Sequence, residues 1–197
     1  MPVASYFPLP FPQANEISES NPYFIGDDAV SDFVICKNPD KLKRLLSAIY
    51  QNKNVHYVSD GDWSMHDMLN ELTKIYSKAT LYITTYAIRE FAIRQMITGL
   101  EDKRIEQVNM LLDYRAKTRT PEVYQLASMN LTKIFLTSIH AKVCIIKSHK
   151  GFVTIVGSAN WTQNPRVECG VISTEKNTAL FHIEWIEKLM NNAELFS

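Results

Sequence analysis

The stretch that decides the fold is SIHAKVCIIKSHKGFVTIVGSANWTQNPRVECGVI, residues 138–172. Two polar clusters, HAK at 140–142 and GSAN at 157–160, are separated by a β-rich run, and an acid at 168 opens the next apolar run. Because residues i and i+2 of a strand point to the same side, the imidazole and ammonium of HAK share one face, as do the serine and asparagine of GSAN. Such groups converging on one point are suited to binding a phosphate and attacking it. A surface hairpin with chance polar residues is the alternative.

The two clusters resemble the motif of the phospholipase D superfamily. In that motif, four residues separate His-x-Lys from an Asp, and Gly-Ser-x-Asn ends the next strand. This chain departs from it at two points: Lys147 occupies the Asp position, and the hairpin before Gly157 is a few residues longer. The superfamily's Asp is mostly structural, so the reactive groups remain. The resemblance assigns catalysis to His140, Lys142, Ser158, Asn160 and Glu168, the last of which sits where members often carry a downstream acid.

The resemblance also implies a site assembled from two motif copies, with one histidine attacking phosphorus and the other protonating the leaving oxygen. This chain holds one copy, because none of its other four histidines has a lysine two residues later. We therefore expect a homodimer in which two His140 side chains meet across a two-fold axis. One would form a phosphohistidine, Lys142 and Asn160 would hold the phosphate oxygens, and Ser158 would bind the phosphate or hold the turn. Glu168 would orient an imidazole of its own or of the partner chain, and neither a metal nor a cofactor is implied.

The net charge of the chain gives no sign of a polyanionic ligand, but the charge of one segment does. The 197-residue chain has a formal net charge of zero, so no whole-molecule field favours nucleic acid. Residues 115–150, however, carry seven cations against the single acid Glu122. We expect this excess to form a funnel around the phosphate motif, with a solvated basic face as the alternative. Arg115, Lys117 and Arg119, in a loop at the end of a strand, are the candidate contacts to flanking phosphates.

Hydrophobic patterning predicts one α/β domain over residues 31–197, preceded by an extended proline-rich arm over 1–30. The fold class is a mixed β-sheet sandwiched between helices, as the resemblance also implies. Strands are expected at 31–36, 54–59, 80–88, 107–114, 131–138, 141–147, 152–158 and 168–173, and helices at 40–51, from Ser64, at 89–103, 121–128 and 175–193.

Two further features bear on the site and the compartment. Asp60, Asp62 and His66 invite a metal interpretation, but turn and helix-cap duties explain the two aspartates more simply. The three cysteines lack metal-like spacing and give no argument for disulfides, which fits a cytoplasmic protein. The proline-broken N-terminus is not typical of a signal peptide, and no apolar run is long enough to span a membrane.

The favoured function is a small metal-independent phosphodiesterase, most simply a nuclease that acts on DNA. A hydrolase or transferase of lipid or other small phosphodiesters is the first alternative, and it would require an apolar entrance. The second is a nucleic-acid-binding module that has lost catalysis, which Lys147 at the Asp position makes conceivable. The fold alone does not choose among them, since one fold hosts many functions.

Overall fold

The computed structural model describes residues 31–36, 49, 54–60, 64–162 and 166–193. The arm predicted for 1–30 and nearly all of the helix predicted for 40–51 lie outside these residues. The described strands and helices are, in chain order, β1 Ser31–Cys36, β2 Asn54–Asp60, α1 Met65–Ile75, β3 Ala79–Thr85, α2 Glu90–Glu101, β4 Ile105–Asp113, α3 Ala116–Arg119, α4 Pro121–Asn130, β5 Lys133–Thr137, β6 Val143–Ser148, β7 Gly151–Gly157, β8 Val167–Ser173 and α5 Lys176–Ala193.

The described strands form one mixed sheet in the order β1-β2-β8-β7-β6-β3-β4-β5. Strands β3, β4 and β5 are parallel because helices connect them, whereas β6, β7 and β8 follow one another antiparallel. The turn between β6 and β7 uses Gly151 at φ +129°, a conformation that L side chains rarely adopt. The predicted mixed sheet is thereby confirmed.

Helices cover both faces of the sheet. On one face, α1, α2 and α4 pack through residues such as Met68, Ile93 and Ala127, and on the other α5 packs through Ile183 and Ile186. Helix α1 begins just after Ser64, as predicted, with a capping box in which the Ser64 hydroxyl and the Asp67 carboxylate each cap the other's backbone N–H. The predicted sandwich of a sheet between helices is confirmed. No helix in the described ranges is both long and apolar enough to cross a membrane.

The two polar clusters of the motif lie at one edge of the sheet, where strands end. The carboxyl ends of β3, β4 and β5 lie there beside the start of β6 and the end of β7, since β6 runs antiparallel to both β3 and β7. We call this edge the catalytic edge. The HAK cluster at 140–142 immediately precedes β6, and the serine of GSAN immediately follows β7, so β6 begins two residues later and β7 ends one residue earlier than predicted.

A pair of facing glycines makes room for a tyrosine beside this edge. Gly157 on β7 pairs with Gly170 on β8, and Gly170 also pairs with Tyr57 on β2. A Cβ atom on Gly170 would lie 2.5 Å from the Val156 carbonyl oxygen and 2.6 Å from the Tyr57 hydroxyl oxygen. The glycine of the GSAN cluster is similarly confined, with 2.8 Å to the Tyr57 hydroxyl oxygen. The close packing of buried Tyr57 therefore requires glycine at both positions.

We expect Gly170→Ala to lower the free energy of unfolding by about 1–3 kcal/mol, because the new methyl group meets a backbone carbonyl that cannot move independently of the sheet. Urea denaturation followed by circular dichroism measures this change. Val167→Ala on the same strand is the control, since Val167 is 65% exposed and its truncation should change stability by less than about 0.5 kcal/mol. Equal unfolding midpoints for the two variants would contradict the close approach of Tyr57.

Candidate active site

His140 and Lys142 form the centre of the catalytic edge. The His140 ring is exposed, whereas Lys142 is only 8% exposed. The Lys142 Nζ donates a 2.7 Å hydrogen bond to the His140 carbonyl oxygen and lies 3.2 Å from Nδ1 of the His140 ring. Burial lowers the pKa of the Lys142 ammonium, and the Glu168 carboxylate opposes part of that shift. A lysine positioned in this way fixes the cation directly beside the imidazole.

The GSAN cluster is joined to this centre through the backbone and through strand β3. The Gly157 N–H donates to the Lys142 carbonyl oxygen at 3.2 Å. The buried Thr84 hydroxyl donates to the Ala141 carbonyl oxygen and accepts from the Val143 N–H, both at 3.1 Å. The turn into β6 is thus held on both sides of Lys142, so its position does not depend on its own side chain.

Asn160 and Ser158 take different positions after β7. The Asn160 Oδ1 lies 3.4 Å from the hydroxyl of buried Thr85, which leaves the amide NH₂ group of Asn160 available to a ligand. The Ser158 hydroxyl instead donates to Glu168 Oε2 and accepts from the Cys169 N–H at 3.1 Å. In this structure Ser158 joins the end of β7 to β8, and Glu168 contacts Ser158.

Tyr86 is a site residue that the sequence analysis missed. It follows β3, and its ring centroid lies 5.0 Å from that of His140 at an interplanar angle of 53°. The Arg115 guanidinium lies 4.5 Å from the Tyr86 ring centroid, and Arg119 Nη1 donates a 2.5 Å hydrogen bond to the Tyr86 hydroxyl. The tyrosine therefore connects the exposed imidazole to two cations of the segment that follows β4.

Asp113 holds Arg115 and the backbone before His140 in place. It is fully buried at the end of β4 and binds Arg115 through two side-chain contacts of 2.6 and 2.9 Å. Hydrogen bonding with Arg115 holds the pKa of the Asp113 carboxyl below its usual range. Asp113 Oδ2 also accepts from the Ile139 N–H at 3.3 Å, immediately before His140. The Arg115 charge is therefore largely neutralised, whereas Lys117 and Arg119 are exposed.

The predicted basic funnel is not a single surface. Lys133 begins β5 and Lys147 pairs with Thr80 at the start of β3, so both lie at the edge opposite the catalytic edge. Lys150 lies in the turn before Gly151 and donates to the Ile75 carbonyl oxygen at 2.9 Å. The expectation of a basic funnel formed by this whole segment was wrong, because a strand runs from one edge of the sheet to the other and cations at its two ends therefore lie far apart. The same geometry places Lys147, the departure from the motif, away from His140.

Of the three residues that invited a metal interpretation, the structure describes the side chain of His66. His66 is 2% exposed and its Nε2 lies 2.7 Å from the Ser64 hydroxyl oxygen, so it belongs to the cap of α1. The Asp60 side chain and Asp62 lie outside the described residues. Among the residues that are described, no three or more His, Cys, Asp and Glu side chains are grouped so as to hold a metal ion.

Some of the site residues that the sequence analysis missed could have been found from polar residues at the ends of buried strands. Thr84 and Thr85 end a strand that is otherwise apolar and buried, and buried hydroxyls require hydrogen-bond partners. Asp113 likewise ends a buried strand, which makes a paired carboxylate the expected arrangement. Tyr86 carries no comparable signal, because its contact with His140 depends on the pairing of β3 with β6.

Comparison with known proteins gives matches in structure. No family model matches the chain, and no curated protein matches its sequence. NucT from Helicobacter pylori is similar in structure with a TM-score of 0.55, at 21% sequence identity, over 72% of this chain and 96% of that chain. Polyphosphate kinase from Porphyromonas gingivalis is similar with a TM-score of 0.57, at 11% identity, over 75% of this chain and 27% of the kinase.

At these identities the likeness concerns the fold. The match to NucT spans nearly all of that protein, and the mixed sheet between helices is the architecture that the motifs at 140–142 and 157–160 predicted. The described residues therefore share the α/β fold of NucT, a mixed sheet between helices.

Proposed function

We propose that the protein is a metal-independent nuclease that cleaves DNA through a phosphohistidine formed on His140, in a site shared by two chains. The observation that carries this proposal is an exposed imidazole with a buried ammonium fixed 3.2 Å from its Nδ1. NucT, whose fold this chain shares, is a nuclease of the phospholipase D superfamily. The proposed steps use side chains of the protein alone and need no cofactor.

Lys142 favours one tautomer of the neutral His140 ring before substrate binds. An ammonium can only donate, so its contact at Nδ1 favours the neutral tautomer that carries its proton on Nε2. A bound phosphate offers the ammonium a charged oxygen, which is a stronger acceptor than an imidazole nitrogen. Substrate binding then releases Nδ1, which takes a proton from water while Nε2 gives its proton to water, and this exchange of tautomers leaves the Nε2 lone pair free to attack. The nucleophile is activated by the substrate itself.

Two histidines complete the reaction. Nε2 of one His140 forms the P–N bond, while the partner's His140, as an imidazolium, gives its proton to the leaving oxygen as the P–O bond breaks. The partner's His140 then accepts a proton from water, and that water attacks phosphorus and breaks the P–N bond. The products are a phosphomonoester and a hydroxyl. The other histidines cannot replace the second ring, since none has a lysine two residues later.

The remaining groups hold the phosphate and the rings. Lys142 and the Asn160 amide would bind the non-bridging oxygens, because the Asn160 Oδ1 is already next to Thr85. Ser158 would hold β8 in position rather than contact substrate. Glu168 would orient the partner's His140 through its Nδ1–H, since in its own chain it contacts Ser158.

Cations beside Tyr86 would contact the substrate backbone. Lys117 and Arg119 are exposed on α3 at the catalytic edge, where they can bind phosphates that flank the reacting one. Arg115 is paired with Asp113, so we assign it to supporting Tyr86 and, through it, the His140 ring.

The free thiols of Cys144 and Cys169 agree with a place of action in the cytoplasm.

Cleavage of plasmid and single-stranded DNA in excess EDTA tests the proposal. We expect the native protein to cleave with EDTA present and to sediment as a dimer. Activity that disappears in EDTA and returns with added Mg²⁺ would contradict the metal-independent mechanism. Intact DNA binding without cleavage would identify a non-catalytic binding module. Absence of both would direct the search to lipid and other small phosphodiesters.

A further inference from the structure

We infer that a cavity beside Trp161 receives one nucleobase of the substrate strand, next to the phosphodiester that His140 attacks. This inference rests on the proposed nuclease function and adds to it a specific base-binding subsite. The cavity has a volume of about 400 Å³ and is lined by His66, Arg89, Phe91 and Trp161, with Glu90, Ala92 and Val123. This volume falls within the range of about 300–1,000 Å³ that is typical of ligand pockets. We call it the base cavity.

A second cavity of about 250 Å³ lies next to the base cavity. Tyr86, Arg89 and Arg119 line this second cavity, and Arg89 lines both. The Tyr86 ring lies tilted beside the His140 ring, with 5.0 Å between their centroids, and Trp161 directly follows Asn160. A strand bound at His140 can therefore pass along Tyr86 and Arg119 to Arg89 and the base cavity.

Two residues of the base cavity carry buried polar atoms that lack a partner among the described residues. These atoms are Nε1 of Trp161, which is fully buried, and Nδ1 of His66, which is 2% exposed. Leaving such atoms unpaired is unfavourable, so a ligand that pairs with them, once the two rings turn toward the cavity, gains affinity. The Trp161 Nε1–H is a donor only.

The hydrogen bonds around Ser64 decide what His66 offers. The Ser64 hydroxyl donates its proton to Asp67 Oδ2 at 2.7 Å, so it accepts from the His66 ring at Nε2, also at 2.7 Å. The neutral ring then carries its proton on Nε2 and presents Nδ1 as an acceptor. When the two rings turn toward it, the base cavity thus offers a ligand one acceptor and one donor. The edge of a nucleobase carries the same combination, with its exocyclic amino or ring N–H group beside a carbonyl oxygen or ring nitrogen.

The surrounding groups favour a base in this cavity and a phosphate in its neighbour. Phe91 is 47% exposed and its ring centroid lies 5.1 Å from that of His66, which provides an aromatic wall on which a base can stack. The Glu90 carboxylate also lines the base cavity, where it would repel a phosphate. The second cavity has Arg89 and Arg119 and no acid among its described lining residues, which suits the phosphate of the same nucleotide.

Binding of two labelled oligonucleotides to the His140→Ala protein tests this inference without cleavage. One is single-stranded DNA, and the other has the same backbone with every base missing. We expect the abasic strand to bind at least tenfold more weakly. Phe91→Ala should lower affinity for the normal strand about tenfold, as expected for one lost stacking contact, and should leave affinity for the abasic strand unchanged. Trp161→Phe, which keeps most of the ring but removes the donor, should act in the same direction.

Phe181→Ala is the matched control, because Phe181 is 64% exposed on α5, on the opposite face of the sheet, and should affect neither strand. Equal binding of the two strands, or equal losses for both in Phe91→Ala, would overturn the base cavity. The proposed nuclease function is judged separately, by hydrolysis of DNA by the native protein. A native protein that does not cleave DNA would refute that function, while the comparison of the two strands would still decide the inference.

Discussion

Replacing His140 by alanine is expected to lower the rate of DNA cleavage by a factor of at least about 10⁴, because the substitution removes both the nucleophile and the general acid of a shared site. The fold should persist, since His140 is exposed and precedes β6 rather than lying within it. Cleavage in EDTA gives the rate, and thermal unfolding confirms that the variant is folded. Binding of DNA should remain, because Lys117 and Arg119 are intact.

His149→Ala is the control for this experiment. His149 is exposed in the turn between β6 and β7, at the edge of the sheet opposite His140. Its removal tests whether any surface histidine affects cleavage, and we expect the native rate. Cleavage by the His140→Ala protein at more than a tenth of the native rate would contradict the assignment of the nucleophile.

Replacing Lys142 by methionine is expected to lower kcat by a factor of about 10²–10³, the loss typical when one group that stabilises charge in the transition state is removed. Methionine keeps an apolar stem in a position that is only 8% exposed, so the variant isolates the ammonium. Lys147→Met is the matched control, because Lys147 is exposed at the other end of the same segment and should leave kcat unchanged.

The pH dependence of kcat/KM separates a catalytic ammonium from a structural one. Burial lowers the pKa of Lys142, so its charge is present at low pH and is lost as pH rises through a value below that of an ordinary lysine. The native protein should therefore lose activity on the alkaline side earlier than free lysine would titrate, and the methionine variant should lack this loss. An alkaline decline that persists unchanged in Lys142→Met would contradict the role of the ammonium.

Local patterns predicted the fold well because each depends on neighbours in sequence. The β-branched and aromatic run of β3, the capping box at Ser64 and the apolar stripe of α5 are all encoded within a few residues. The motif spacing placed both clusters at one edge because β6 and β7 form a hairpin. Element ends were less certain: the strand predicted for 80–88 ends at Thr85, after which the chain turns toward Tyr86 and the site.

Contacts between distant segments could not be predicted in the same way. Tyr86 reaches His140 only because β3 pairs with β6, and Arg115 reaches Tyr86 only because β4 lies on the other side of β3. The basic excess of residues 115–150 had the right sign but the wrong distribution, since a linear charge count does not record which edge of the sheet each strand end occupies. The base cavity likewise joins the starts of α1 and α2 to the segment after β7.

The most direct test of the central claim, that two chains contribute one His140 each to a single site, is the activity of mixed dimers. Native and His140→Ala subunits are unfolded and refolded together at constant total concentration while the native fraction is varied. A shared site predicts that activity falls as the square of the native fraction, so an equal mixture keeps about a quarter of the native activity. A linear decline, with about half the activity retained in the equal mixture, would show that each chain carries a complete site and would contradict the account.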